Sequence, residues 1–293
     1  MADSRALLPD NTSVAGWRAA ARRAPLTAFF VLALGITWIY HLLVLGLLHA
    51  PLMPWVIPGT FGPAIAGFLV VWATEGREGV LRLRRSCRQW RVGLRWYLLA
   101  GIVLPALVVG CGLWLPGGRD AFAGRPAAAV LVTYISQLVL IMLGGGGFNE
   151  EPGWRGFALP RLQRTAGPLK GSLVLGLLWG LWHLSLYVYT PNYNGAGAGF
   201  AGIAPMFLAF MVCTTALSFV FTWLYNTVAG SVFFLAFAHA SFNAGTMWAP
   251  ATRTYDLAVF GLAVIAAVAV LIGTRGRLGW KAGTANPGDA GAV

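Results

Sequence analysis

Apolar residues come in runs of about 20, the length with which a helix crosses the hydrocarbon core of a bilayer. Eight runs stand out: 26–48, 55–74, 96–115, 126–146, 170–190, 201–225, 228–249 and 257–274. From Gly171 to Thr252 the chain has no Asp, Glu, Lys or Arg. Only turn-forming segments, Pro-Asn-Tyr-Asn-Gly at 191–195 and Asn226-Thr227, divide that tract into three spans. The pattern predicts an all-α polytopic membrane protein with about eight transmembrane helices. The first run is too long for a signal-peptide core and is expected to stay as the first helix. Residues 1–25 form an N-terminal segment, 26–274 a single membrane domain, and 275–293 a tail whose Gly/Ala-rich end, 283–293, is expected to be disordered.

Composition agrees. The chain is 58% hydrophobic and 10% charged, against roughly a quarter charged in soluble domains, which leaves no soluble stretch able to bury its own core. The net charge of +12 would suggest nucleic acid in a soluble protein. Here 18 of the 21 Lys and Arg fall in segments assigned to one membrane face: ahead of the first run, at Arg77–Arg95, at Arg155–Lys170 and after the last run. The charge is therefore read as topology, with both termini cytoplasmic and no nucleic-acid partner. Within 77–95, Arg84, Arg88, Arg91 and Arg95 repeat at helical spacing opposite Val80, Leu83, Cys87, Trp90 and Leu94, which predicts an interfacial amphipathic helix resting on lipid headgroups. Cys87, Cys111 and Cys213 are too scattered for a disulfide framework or a zinc knuckle.

Ionisable groups at membrane depth are costly and so are functional candidates. The only acidic residues between Asp120 and Asp256 are Glu150 and Glu151, in Gly-Gly-Gly-Gly-Phe-Asn-Glu-Glu-Pro-Gly-Trp-Arg-Gly at 144–156. The glycines allow a bend and an opening between helices, Asn149 is expected to cap a following helix, and Pro152 suits its first turn. Glu151 and Arg155, four apart, would then pair on one helix face, leaving Glu150 free as a general base. His183 lies inside the fifth run one turn after Trp179, and His239 and Asn243 share a face of the seventh. His41 is solitary and His49 sits near the outer interface, so neither is given a chemical role. The constellation can activate water, with Glu150 and His183 as base and His239 and Asn243 as oxyanion donors. Alternatively, Glu150, His183 and His239 are a donor set that suits zinc, although no His-Glu-x-x-His pair is present.

Glu150-Glu151-x-x-x-Arg155, then Trp179-x-x-x-His183, then His239-x-x-x-Asn243, resemble the ordered motifs of the CPBP family. These intramembrane proteases include type II CAAX prenyl endopeptidases and bacterial Abi proteins linked to bacteriocin processing and immunity. The resemblance covers about residues 148–245. It implies functional roles for Glu150, Glu151, Arg155, His183, His239 and Asn243. Two positions depart from the family pattern: Trp179 stands where phenylalanine is usual, a change expected to matter little, and Pro152-Gly153 follows the glutamates. The function implied is a membrane endopeptidase with a catalytic core at about 144–249, in a water-filled cavity opening to the cytoplasm, acting on a membrane-associated peptide or protein. Its setting is expected to be a bacterial inner membrane, with the lipid bilayer as a partner. Two other classes compete: a transporter or proton relay, against which the lack of an inverted repeat counts, and a non-catalytic immunity or scaffold protein.

Overall fold

A computed structural model describes residues 11–189, 199–248 and 252–280, and every regular element among them is helical. The chain is an all-α polytopic membrane protein. After an amphipathic α1 (Asn11–Arg23) come α2 (Pro25–Leu47), α3 (Leu52–Gly59), α4 (Gly62–Ser86), α5 (Leu94–Leu113) and α6 (Ala127–Gly144). Then follow α7 (residues 151–166), α8 (168–182), α9 (Leu184–Tyr189), α10 (Gly199–Thr227), α11 (Val232–Thr246) and α12 (Arg253–Gly273). Seven helical stretches among the described residues are long and apolar enough to cross a membrane. The remaining expected span, 228–249, forms α11, which at 15 residues is shorter than a typical crossing. The turn at 191–195 and the tail at 283–293 lie outside the described residues.

In lipid there is little hydrophobic drive between helices, so close backbone approach takes its place. A Cβ on Gly153 would lie 2.2 Å from the Pro63 carbonyl oxygen, and one on Gly176 would lie 2.6 Å from Thr215 Cα. These contacts seat α7 on α4 and α8 on α10. Large apolar side chains such as Val31, Leu107, Val132, Leu140, Ile265 and Ile272 point outward, as a lipid-facing surface requires.

Two expectations are corrected. The first is that the basic stretch Arg155–Lys170 only separates two spans. Residues 151–166 are instead a helix whose Trp154, Phe157, Ala158 and Leu159 are fully buried. The chain reverses at Gly167, whose φ of 76° is the left-handed conformation that glycine adopts without strain. The reversal brings Gly171 within 3.0 Å of Leu162, measured from an added Cβ to the carbonyl carbon, where a continuous helix would hold them roughly 13 Å apart. The second is the continuous helix through Arg95. α4 ends at Ser86, and residues 87–93 form a loop that leaves Trp90 and Leu94 exposed. That loop is pinned to the start of α11, where Ser231 Oγ donates to the Gln89 carbonyl and Gln89 Nε2 donates to that of Ala229.

Arginine-bearing segments gather at one end of the bundle. Glu75 pairs with both Arg82 and Arg161, and Arg22 Nε donates to the Ala73 carbonyl. Asn226 joins Gln163 of α7 to the Leu278 carbonyl beyond α12.

Candidate active site

The glycine run ends α6 and turns back into the protein. Gly146, at φ 123°, donates its amide to Asn149 Oδ1 at 2.9 Å, while Asn149 Nδ2 donates to Thr60 Oγ1 at 2.9 Å. Asn149 therefore ties the turn to the α3–α4 connection rather than capping the next helix; the N-cap position is Glu150, with no side-chain cap. Pro152 occupies the first turn, where a missing amide costs nothing.

Glu150 and Glu151, adjacent in sequence, face different partners. Glu150 is nearly buried, and its Oε2 accepts the indole N–H of Trp179 at 2.7 Å and of Trp154 at 3.2 Å. Glu151 is fully buried, and its Oε1 accepts from Arg155 Nη1 and from His239 Nδ1, each at 2.8 Å. Arg155 is likewise fully buried, with its guanidinium 4.3 Å from the centre of the Trp179 ring and 4.8 Å from that of Phe221. The Glu151–Arg155 pair sits at its predicted i, i+4 spacing, but Glu150 is not left free as expected, because two indole N–H groups bind its Oε2.

His183 occupies the turn between α8 and α9. Its Nδ1 lies 2.8 Å from the Trp179 carbonyl, an atom that only accepts, so Nδ1 carries the proton and Nε2 presents a lone pair. Rings of Trp182 and Phe210 hold it on two sides, with centroids 4.6 and 4.9 Å away. His239 turns Nδ1 to the Glu151 carboxylate, so donating from Nε2 requires it to be doubly protonated. Asn243 Nδ2 donates to the Gly145 carbonyl at 2.9 Å, which leaves its second amide proton for another acceptor. Both donors converge where Gly146 lacks a side chain: a Cβ there would lie 2.7 Å from Asn243 Nδ2 and 2.7 Å from His239 Nε2. His183 and Asn243 are partly accessible, whereas Glu150, Glu151, Arg155 and His239 are buried, so the site is closed except at its histidine and asparagine edges.

Trp179 is the hub of the cluster. It donates to Glu150, accepts from His183 through its carbonyl, packs under Arg155 and sets its ring 5.4 Å from that of His239. The expectation that tryptophan in place of phenylalanine matters little is therefore corrected, because phenylalanine has no N–H to give Glu150. Trp154 is a second donor to Glu150, and its position four residues later, one helical turn on, is the sequence signal for it.

Among the described residues, no three His, Cys, Asp or Glu side chains form a group fit to hold a metal. The zinc donor set of Glu150, His183 and His239 does not assemble in this arrangement.

The fold and its embedded carboxylates, imidazoles and amide define a polytopic membrane protein with a buried polar site built by separate helices. Residues 131–245 match the family model described as Type II CAAX prenyl endopeptidase Rce1-like. A relative, CAAX prenyl protease 2 of Methanococcus maripaludis, is 24% identical over 145 residues, which cover 47% of this chain and 52% of the relative. The chain thus spans about half the length of the curated relative it matches. Together with the ordered motifs, these matches support a likeness of residues 131–245 to the CPBP/CAAX proteases.

Proposed function

We propose that this protein is an intramembrane endopeptidase that hydrolyses a peptide bond of a membrane-associated peptide or protein with water activated by Glu150 and His183. The observation that carries the reading is the meeting of Glu150, Arg155, His183 and His239 around Trp179. Two indole N–H groups fix one Glu150 oxygen and leave Oε1 to receive a proton from water. His183, with Nδ1 bonded to a carbonyl, offers Nε2 as a second acceptor. As the carbonyl carbon becomes tetrahedral, charge builds on its oxygen. The space beside Gly146, flanked by Asn243 Nδ2 and His239 Nε2, suits that oxyanion. Glu151 and Arg155 orient His239 and balance charge without touching substrate. The catalytic core in this reading is about 144–249, inside a single membrane domain at 26–274. The test is hydrolysis of a broad peptide mixture by the purified full-length protein in detergent. Cleavage by the parent and none by Glu150→Gln supports the reading; equal cleavage by both sinks it.

The orientation proposed with this function puts both termini and residues 77–95 in the cytoplasm of a bacterial cell, with the site opening to that side. The basic ends gathered through Glu75 and Asn226 support it. In a background without the three native cysteines, an impermeant thiol reagent applied to intact cells should label a cysteine at 195 and spare one at 85. The opposite pattern reverses the topology.

A further inference from the structure

A second buried polar cluster lies beside the site, where α2 meets the α8–α9 break. In an unbroken helix the Trp182 carbonyl would receive the amide of Leu186. Here it accepts the indole N–H of Trp38 at 2.9 Å, and the Leu186 amide bonds to the His183 carbonyl at 2.9 Å. On the same α2 face, Thr37 Oγ1 accepts the indole N–H of Trp182 at 2.8 Å and donates to the Gly59 carbonyl at 2.8 Å. One turn on, His41 is fully buried. Its Nε2 lies 3.2 Å from the Val56 carbonyl, so Nε2 carries the proton, and its Nδ1 accepts the Ser185 hydroxyl at 2.9 Å. Positions 182 and 185, on either side of His183, are thus both fastened to α2.

We propose that Thr37, Trp38 and His41 are positioning residues for His183. They hold the helix break that turns its Nδ1 to the Trp179 carbonyl and aims Nε2 at the reacting water. Neither proline nor glycine occupies residues 181–185, so local sequence alone gives no reason for a break there. The Trp38 indole supplies that reason by removing the carbonyl on which the helical bond depends. His41, solitary in the sequence, acquires its partners only where α2 meets α9, through Ser185, and α3, through the Val56 carbonyl. The catalytic consequence rests on the protease reading; the conformational one does not.

The chain has four histidines, which makes ring-nitrogen NMR on the full-length protein with 15N-labelled histidine practical. The variants are Trp38→Phe, which keeps an aromatic ring without the N–H, and Ser185→Ala, which frees His41. Parent protein in detergent micelles should show His183 as the Nδ1–H tautomer. Both variants should replace that signal with a mixture and leave the His239 signal in place. In peptide hydrolysis, each should lower kcat about tenfold with KM unchanged, the scale set by one lost hydrogen bond in the transition state. An unchanged His183 signal in both folded variants overturns the proposal, as does a changed signal with parent-level kcat. If the parent cleaves no peptide while the tautomer shifts as described, the protease reading fails and the positioning of His183 stands. Should Trp38→Phe fail to fold, the Ser185→Ala signal decides alone.

Discussion

Glu150→Gln should abolish turnover while leaving fold and substrate binding intact. The amide has the shape of the carboxylate, and its oxygen can still accept the indole N–H groups of Trp154 and Trp179, so the packing that buries Glu150 survives. What is lost is a group able to take a proton from water, a contribution of about 10²–10⁴ in rate for a general base. His183→Ala should fall by a comparable factor, because it removes the second acceptor. Asn243→Ala removes one oxyanion donor and should cost on the order of 10²–10³ in kcat. Initial rates on the same peptide, with melting temperatures in the same detergent, separate chemistry from folding. Parent-level hydrolysis by Glu150→Gln, or persistent turnover in His183→Ala, would remove the protease mechanism and favour a carrier or a binding protein.

The sequence revealed most where one element alone determines the outcome. Apolar runs mark helices because a backbone in lipid must satisfy itself within the segment. The Glu151–Arg155 pair follows from helical spacing, and the site residues follow from the scarcity of ionisable groups in apolar tracts. What stayed hidden needs two elements at once. The α7–α8 reversal at Gly167 is masked because Arg161, Arg164 and Lys170 read as a basic connection between two spans. In the fold, Arg161 reaches Glu75 of α4 and the apolar side chains beside it pack inward. Asn149 looked like a cap because asparagine before a proline-containing first turn usually is one; Thr60, 89 positions away, offered a better partner. Trp154 and Trp179 read as aromatic packing, since nothing in one sequence shows that two indoles converge on one carboxylate oxygen. His41 looked idle for the same reason: Ser185 lies 144 positions away.

Arg155→Met should be the most destabilising of the substitutions considered. The guanidinium and the Glu151 carboxylate are both fully buried, so removing the cation leaves an anion with only His239 as a charged-bond partner, at a cost of about 3–5 kcal/mol for a broken buried pair. The pair is already imperfectly satisfied: Glu151 Oε2 and the Nε and Nη2 atoms of Arg155 have no hydrogen-bond partner. Arg155 instead contacts the faces of Trp179 and Phe221, an interaction worth about 2 kcal/mol or more when desolvated. Methionine preserves much of the stem's volume but neither the charge nor that stacking. The sign of the effect can be isolated by removing both charges. Glu151→Gln combined with Arg155→Met buries no uncompensated charge, so it should recover part of the folded yield and melting temperature lost in Arg155→Met alone. It should not recover hydrolysis, because the carboxylate that accepts from His239 Nδ1 and holds its ring is then replaced by an amide. If Arg155→Met melts like the parent, the pair is solvated. If the double variant is less stable than Arg155→Met, the cation's main role is stacking between Trp179 and Phe221 rather than balancing Glu151.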